Sequence, residues 1–329
     1  MLFVIVNTLL PPILVVLLGA VLRGVGFLTD AFAVAFNRFI FWVSLPAFLF
    51  LSIQRSKFVD GSFRAAGVML LASLAVAAIS WFGARLFGIS RRSRGAFCHC
   101  AFRGNTAYVG MPVISFAYAG APQALQTEIG ALAAIALAPC IILYNVLAVL
   151  VMTPDAMGAF DGSDGAAANV RIPFASILKG IAGNPLIIGC VLGSLALVLR
   201  QKAGVELPEF LARALDSVGK IAGPGALLAL GASFTPERLR TAMFGAHVVA
   251  LLKLLACPLI GYAFAQLLGV SPHARFVALV YLACPTAVAS FVMAQSMKGD
   301  AVLAGGSVAL TTVYSAISMA VVIALAGPA

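Results

Sequence analysis

A short run of polar and helix-weakening residues lies inside an otherwise apolar stretch of the sequence. It reads Arg103-Gly104-Asn105-Thr106, and Gly110 follows within one helical turn. Glycine weakens a helix, and an arginine or asparagine is costly when it is surrounded by lipid. The run therefore predicts a broken membrane helix, whose free N–H groups, amide and guanidinium could bind an anion.

A second break is predicted near the end of the chain, over Cys284-Pro285-Thr286. Counting without gaps from an arginine in each half of the chain, Arg94 and Arg275, places this break at the position of the first one. A structural proline kink is the alternative for either break alone. Two matched breaks would instead point two positive helix ends at one place in the bilayer, and they favour a substrate-binding site formed by both segments.

Further polar residues inside apolar runs are candidates for supporting this site or for coupling transport to an ion. They are Ser44, Tyr144, Asn145, Asn184 and Lys253. Interhelical hydrogen bonding is the alternative for the uncharged ones. For the lysine, pairing with a backbone carbonyl freed by a break is favoured over a direct role in the anion site, and pairing with a carboxylate is also open.

Signals for catalysis, metal binding and ion coupling are weak. The run Cys98-His99-Cys100 does not predict a metal site, because alternate residues of a helix point apart. We find no paired acids, nucleophile motif or metal motif inside an apolar run, so we expect neither an enzyme nor a cofactor. No carboxylate falls clearly within such a run, so coupling to H⁺ or Na⁺ stays open.

The composition indicates that most of this chain is surrounded by membrane lipid rather than by water. Of 329 residues, 62% are hydrophobic and 10% are charged, against about 45–50% and about 25% in soluble domains. These values exclude a soluble enzyme and a disordered chain. The net charge of +10 reflects basic residues at the ends of apolar runs, where they set topology, so nucleic acid is not an expected partner.

Ten apolar runs are long enough to cross a bilayer as helices. They are residues 3–23, 31–53, 64–87, 95–119, 128–152, 174–199, 209–233, 241–268, 274–297 and 301–326. The first run has no basic segment before it, so we expect it to stay as a helix.

The chain divides near its middle. Residues 153–173 are rich in Gly, Ala and Asp and predict a linker between two five-helix halves, 1–152 and 174–329, within one compact membrane domain. Similar segments at 86–90 and 267–271 suggest that the halves are repeats. Because five is odd, the second repeat must enter the membrane from the opposite side, as in many secondary transporters.

The arginines between spans 3 and 4 place that loop inside the cell. This orientation predicts a cytoplasmic linker and both termini on the non-cytoplasmic side. The fold class is thus an all-α polytopic membrane protein with ten transmembrane helices in two inverted five-helix repeats, of which helices 4 and 9 are broken.

Several segments resemble one known family. Residues 105–112 resemble the fourth helix of the auxin efflux carrier family, and residues 36–46, 183–185, 252–258 and 283–294 are similar to its second, sixth, eighth and ninth helices. The family includes the plant PIN-FORMED auxin exporters and bacterial carriers that resemble malonate and malate permeases. The resemblance implies crossed helices 4 and 9, an elevator-like motion, often a homodimer, and a carboxylate bound beside Asn105 and Pro285.

Together these observations predict a secondary active transporter of small organic anions, mono- or dicarboxylates such as malonate or malate, in the bacterial inner membrane. A passive channel or uniporter, or a substrate sensor of the same fold, is the alternative. An intramembrane enzyme is a third hypothesis, and the sequence supports it least.

Overall fold

A computed structural model describes residues 2–55, 62–156, 182–233 and 236–326 of the chain. These residues are almost entirely helical and include six helices that are long and apolar enough to cross a membrane. The helices follow the predicted apolar runs, and the tenth run coincides with its helix at both ends.

The first half of the chain forms α1 to α6. Their bounds are Leu2–Gly24 for α1; Asp30–Phe39, a π turn over Ile40–Ser44 and Leu45–Gln54 for α2; Ser62–Gly83 for α3; Arg94–Phe102 for α4; Met111–Ala117, preceded by a π turn over Thr106–Gly110, for α5; and Gln123–Ala156 for α6. The predicted fourth span is therefore two helices, α4 and α5. The last helix, α6, continues into the first residues of the predicted linker, whose remainder lies outside the described residues.

The second half forms α7 to α13. Their bounds are Pro185–Ala203 for α7; Glu209–Gly219 for α8; Ala222–Ser233 for α9; Pro236–Leu251, a π turn over Leu252–Ala256 and Cys257–Leu267 for α10; Pro272–Ala283 for α11; Val288–Ser296 for α12; and Ala301–Ala326 for α13. The predicted ninth span is two helices, α11 and α12, as the break at Pro285 indicated. The predicted seventh span is also divided, into α8 and α9.

Local sequence explains where α7 begins and ends. The Asn184 side chain accepts hydrogen bonds from the N–H groups of Leu186 and Ile187 at 2.9 and 3.4 Å, which is the usual role of an N-terminal cap. Proline occupies the first helical position, where no N–H group is needed. At the other end Gly204 has a φ of 64°, a left-handed conformation that favours glycine and closes the helix.

The helices pack in two groups. One group, here called the scaffold group, contains α1, α2, α7, α8 and α9, in which α1 lies against α9 and α2 lies against α7 and α8. The other, the crossover group, contains α3, α4, α5, α6, α10, α11, α12 and α13. Packing partners recur when each predicted span is exchanged for the one five spans away. In the scaffold group, span 1 packs on span 7, and span 6 packs on span 2 in the same way. In the crossover group, span 3 packs on span 5, and span 8 packs on span 10.

Glycines allow close approach within the scaffold group. A Cβ atom on Gly189 would lie 2.8 Å from the carbonyl oxygen of Pro46, and one on Gly193 would lie 2.7 Å from that of Phe50. Glycines four residues apart let two membrane helices bring their backbones together. At the equivalent contact between α1 and α9, a Cβ on Gly19 would strike the carbonyl oxygen of Leu228.

Contacts at the two ends of the broken spans give their relative direction. Just beyond α5, the hydroxyl of Tyr118 lies 2.7 Å from Nδ1 of His273, at the start of α11. Just before α4, the hydroxyl of Ser93 donates to Asp300, just before α13, at 2.7 Å. The α4–α5 and α11–α12 segments therefore run antiparallel through the crossover group. This direction agrees with the predicted crossing, while inversion of the complete halves across a membrane stays a prediction.

Candidate functional site

The two breaks meet and satisfy each other's backbone. The N–H of Asn105 donates to the carbonyl of Pro285 at 2.7 Å, and the N–H of Ala287 donates to that of Arg103 at 3.1 Å. These two bonds form an isolated antiparallel bridge between Gly104 and Thr286. Non-helical backbone at membrane depth requires such partners, because lipid offers none.

The C-terminal ends of the half-helices are capped by side chains. The ammonium of Lys253, which is fully buried, donates to the carbonyl of Leu282 at 2.6 Å, near the end of α11. The hydroxyl of Thr286 donates to the carbonyl of Cys100 in α4 at 2.9 Å. Of the partners that the sequence left open for Lys253, the structure thus selects a carbonyl freed by the break.

The N-terminal ends of the other half-helices face a small cavity of about 60 Å³. The first residues after each break, Thr106 and Ala107 on one side and Val288 and Ala289 on the other, line it. The initial N–H groups of a helix have no partner within the helix, so two sets of free donors and two positive dipole ends converge here.

Arg103 brings a full positive charge to this cavity. Its side chain is buried, and NH1 donates to Oδ1 of Asn145 at 3.2 Å and to the sulfur of Met293 at 3.2 Å, and lies 3.3 Å from Nε2 of His99. None of these three partners carries a negative charge. In the described part of the chain no carboxylate forms an ion pair with Arg103. A buried cation of this kind favours binding of an anion.

The remaining wall of the cavity is apolar and comes largely from the scaffold group. It consists of Leu45, Phe48 and Leu49 of α2, Ala222, Gly223 and Ala226 of α9, and Ile141 and Tyr144 of α6. The Tyr144 hydroxyl is 3.0 Å from that of Ser73, so it is satisfied inside the crossover group. The cavity thus lies between the two helix groups, with its polar end on one and most of its apolar wall on the other.

The predicted site residues occupy different positions around this cavity. Arg103, Gly104, Asn105, Thr106 and Tyr144 line it. Pro285 and Thr286 form the bridge behind it, and the Cys284 thiol donates to the carbonyl of Val280 at 3.3 Å. The structure brings Asn145 to the guanidinium of Arg103, leaves Lys253 behind the bridge, buries Ser44 beside Leu45 without placing it in the lining, and uses Asn184 to cap α7.

Sequence reasoning missed the apolar part of the lining. On the second segment the cavity begins at Ala287 rather than at Pro285, because Pro285 and Thr286 are used in the bridge. The N–H of Ala287 is bound to Arg103, so the first free N–H groups are those of Val288 and Ala289. No side-chain signal marks these two residues, since their backbone would bind the ligand. The scaffold residues could not be assigned either, because an alanine or leucine in a membrane helix has no distinguishing chemistry.

Within the described ranges, no group of three or more His, Cys, Asp or Glu side chains is placed to hold a metal ion. The thiols of the six cysteines are all free and buried. His99 contacts Arg103 rather than a metal-binding partner.

Comparisons with known proteins cover almost the whole chain. A family model described as a membrane transport protein matches residues 4–323. An uncharacterized transporter of Methanocaldococcus jannaschii is 22% identical over 316 residues, which are 94% of this chain and 94% of the relative. The similarity therefore includes both broken segments and both helix groups.

Proposed function

The chain belongs to the membrane transport protein family, the auxin efflux carrier or PIN-like family, and from this premise we propose that it is a secondary active transporter of small organic anions. The observation that carries the proposal is the position of Arg103. Arg103, which has no carboxylate partner among the described residues, and the N-terminal ends of two half-helices line one cavity at the boundary of two helix groups. An anion bound there would neutralise a buried cation and would occupy donors that otherwise lack partners.

The lining favours a substrate with one carboxylate and a small apolar remainder. Arg103 is the cation that lines the cavity, while the ammonium of Lys253 is engaged with a backbone carbonyl behind it. A carboxylate would lie against Arg103 and Asn105, and the rest of the molecule would contact Leu45, Phe48 and neighbouring apolar side chains. A second carboxylate, as in malonate or malate, would be placed against this apolar wall, where a charge is costly. We therefore expect monocarboxylates to bind more tightly than dicarboxylates.

The proposed mechanism is alternating access of the elevator type. The polar end of the cavity belongs to the crossover group, which would carry the anion, and the scaffold group would provide the surface along which it moves. The small side chains at Ala222, Gly223 and Ala226 leave that surface nearly flat. The volume of about 60 Å³ is well below the roughly 300–1,000 Å³ of typical ligand pockets, so the cavity must widen to admit a substrate.

Ligand-induced stabilisation of the detergent-purified protein tests the proposal. The panel is lactate, malonate, malate, succinate and indole acetate, each measured with wild type, Arg103→Gln and Asn105→Ala. A ligand at 100 times its dissociation constant stabilises the native state by about 2.7 kcal/mol. We expect monocarboxylates to raise the unfolding temperature of the wild type, and we expect both variants to lose most of that rise.

The control variant is Arg92→Gln, which removes an exposed arginine that does not line the cavity and should respond like the wild type. Uptake of the stabilising anion into proteoliposomes, with an imposed H⁺ or Na⁺ gradient, then measures transport and identifies the coupling ion. A carboxylate response that survives in both Arg103→Gln and Asn105→Ala would refute the site. The absence of a response to any anion in the wild type would refute the substrate class.

A further inference from the structure

A second, larger concavity lies on the outer side of the crossover group. It is an apolar groove of about 830 Å³ between α10 and α13, and it reaches the start of α11. Its walls are aliphatic side chains, among them Leu251, Leu255, Leu259, Ile317 and Val321, which are more than half exposed or close to it. It shares no lining residue with the cavity at the crossover.

The groove follows α10 from near its C-terminal end to its middle part. One end is formed by Tyr262, near the end of α10, and by Arg275, in the first turns of α11. The other end is formed by His247 and Tyr314, whose Nε2 and hydroxyl lie 3.3 Å apart. From position 247 to position 262 the helix rises by about 22 Å, which exceeds the acyl layer of one leaflet, about 15 Å.

Among the described residues, Arg275 is the arginine that lines the groove, and one of its N–H groups has no partner. Nε of Arg275 is buried and has no hydrogen-bond partner, and nowhere in the described ranges does a carboxylate pair with this guanidinium. The residue as a whole is half-buried, and a guanidinium without an acidic neighbour favours phosphate oxygens, which its planar N–H groups can bind with two parallel hydrogen bonds.

We propose that this groove is a binding site for an anionic phospholipid. The lipid phosphate would accept hydrogen bonds from Arg275, and one acyl chain would lie along α10 and α13 toward His247 and Tyr314. Charge complementarity selects the anionic headgroup. The length and apolar lining of the groove select a lipid rather than a soluble anion, since a groove that faces the hydrocarbon layer must be filled by a chain to keep its van der Waals contacts.

The site is placed to affect the crossover. Leu251, Leu254 and Leu255 line the groove on the same helix that carries Lys253 to the carbonyl of Leu282. A lipid packed along this helix would stabilise α10 where it closes the crossover. Binding of the lipid should therefore raise the stability of the crossover group whether or not an organic anion is transported.

The test measures lipid binding and thermal unfolding of the full-length protein in detergent with added phosphatidylglycerol or phosphatidylcholine. We expect the wild type to bind phosphatidylglycerol about tenfold more tightly than phosphatidylcholine, because the choline ammonium neutralises the phosphate of the second lipid and is repelled by Arg275. Arg275→Gln should lose this selectivity, and Arg275→Lys should keep part of it. Arg92→Gln, a matched change at an exposed arginine, should keep all of it.

Two further measurements test whether the groove binds the acyl chain and not the headgroup alone. Leu259→Trp, at an exposed position of the groove wall, should obstruct the acyl chain and weaken phosphatidylglycerol binding while Arg275 remains. Glycerol phosphate, which has the headgroup chemistry without the chains, should not stabilise the wild type at the same concentration. Equal binding of the two lipids by the wild type, unchanged selectivity in Arg275→Gln, or equal stabilisation by glycerol phosphate would each overturn the proposal.

Discussion

At the scale of single residues, the candidate site depends on an arginine that no carboxylate among the described residues neutralises. The types Arg103 and Asn105 were conspicuous in the sequence because both are costly in lipid. Their partners were not predictable, because Asn145 and Met293 reach Arg103 across 42 and 190 residues of chain. The structure shows that an asparagine of α6 holds the guanidinium beside the cavity, so this asparagine positions Arg103 without lining the cavity itself.

The first prediction concerns this contact. Asn145→Asp places a carboxylate 3.2 Å from NH1 of Arg103, where it would form the ion pair that a bound anion is proposed to form. We expect the affinity for the stabilising anion to fall by about tenfold or more, which corresponds to about 1.4 kcal/mol, without loss of thermal stability in the absence of anion. Isothermal titration or ligand-dependent unfolding measures the affinity.

Asn184→Asp is the matched control, because it makes the same change of amide to carboxylate at the cap of α7, where aspartate is an equally good cap. The control should bind the anion like the wild type. Equal affinities of Asn145→Asp and wild type would show that the guanidinium does not contact the ligand.

At the scale of elements, the two broken helices are stable because each completes the other. A break leaves carbonyl groups unpaired on one side and N–H groups on the other. The carbonyls are bound by Lys253, Thr286 and the partner segment, while the N–H groups face the cavity. The sequence predicted both breaks from Gly104 and Pro285, but not that Gly110 would lie so close to the other segment that a Cβ atom has no room there.

The second prediction tests that contact. A Cβ atom on Gly110 would lie 2.5 Å from a ring carbon of Tyr281 and 2.8 Å from the sulfur of Cys284. Tyr281 is fully buried and its hydroxyl is bound to the carbonyl of Ala133, so it cannot move aside easily. Gly110→Ala should therefore lower the free energy of unfolding by about 1–3 kcal/mol, measured by thermal unfolding in one detergent.

Gly130→Ala provides the comparison, since a Cβ atom at that position of α6 meets nothing within 4 Å. It should be neutral or slightly stabilising, because alanine is the better helix former. If the two substitutions had equal effects, the close contact between the crossing segments would be disproved.

At the scale of the whole molecule, the proposed function assigns a different role to each helix group: the crossover group would carry the anion and the scaffold group would stay in place. Packing partners recur at an offset of five predicted spans, and close glycine contacts join both α1 to α9 and α2 to α7. This regularity supports two repeats. The antiparallel course of the crossing segments requires that equivalent loops of the two repeats, 3–4 and 8–9, open on opposite membrane faces.

The third prediction follows from that requirement. All six native cysteines are buried, so a single engineered cysteine should dominate labelling by a membrane-impermeant maleimide. In intact cells, Ser271→Cys in the 8–9 loop should be labelled, and Arg92→Cys in the 3–4 loop should be labelled only after the membrane is opened. Both positions are exposed. Labelling of both from the same side would disprove the inverted repeat.

The sequence by itself determined the solvent of this protein, the course of its helices and the places where two of them break. These properties depend on local composition, because length and apolarity define a membrane helix, and glycine, proline and buried charge mark where it ends. The proposed carboxylate-binding residues Arg103, Asn105 and Thr106 could be named for the same reason.

Only the tertiary structure decided what surrounds those residues. It showed that Lys253 closes a helix end instead of lining the cavity, that Pro285 and Thr286 form the bridge behind the cavity, and that the scaffold group supplies most of the apolar wall. Apolar side chains and free N–H groups carry no individual signature in a sequence. Their role arises from which helices pack together, and that is fixed by contacts between residues far apart in the chain.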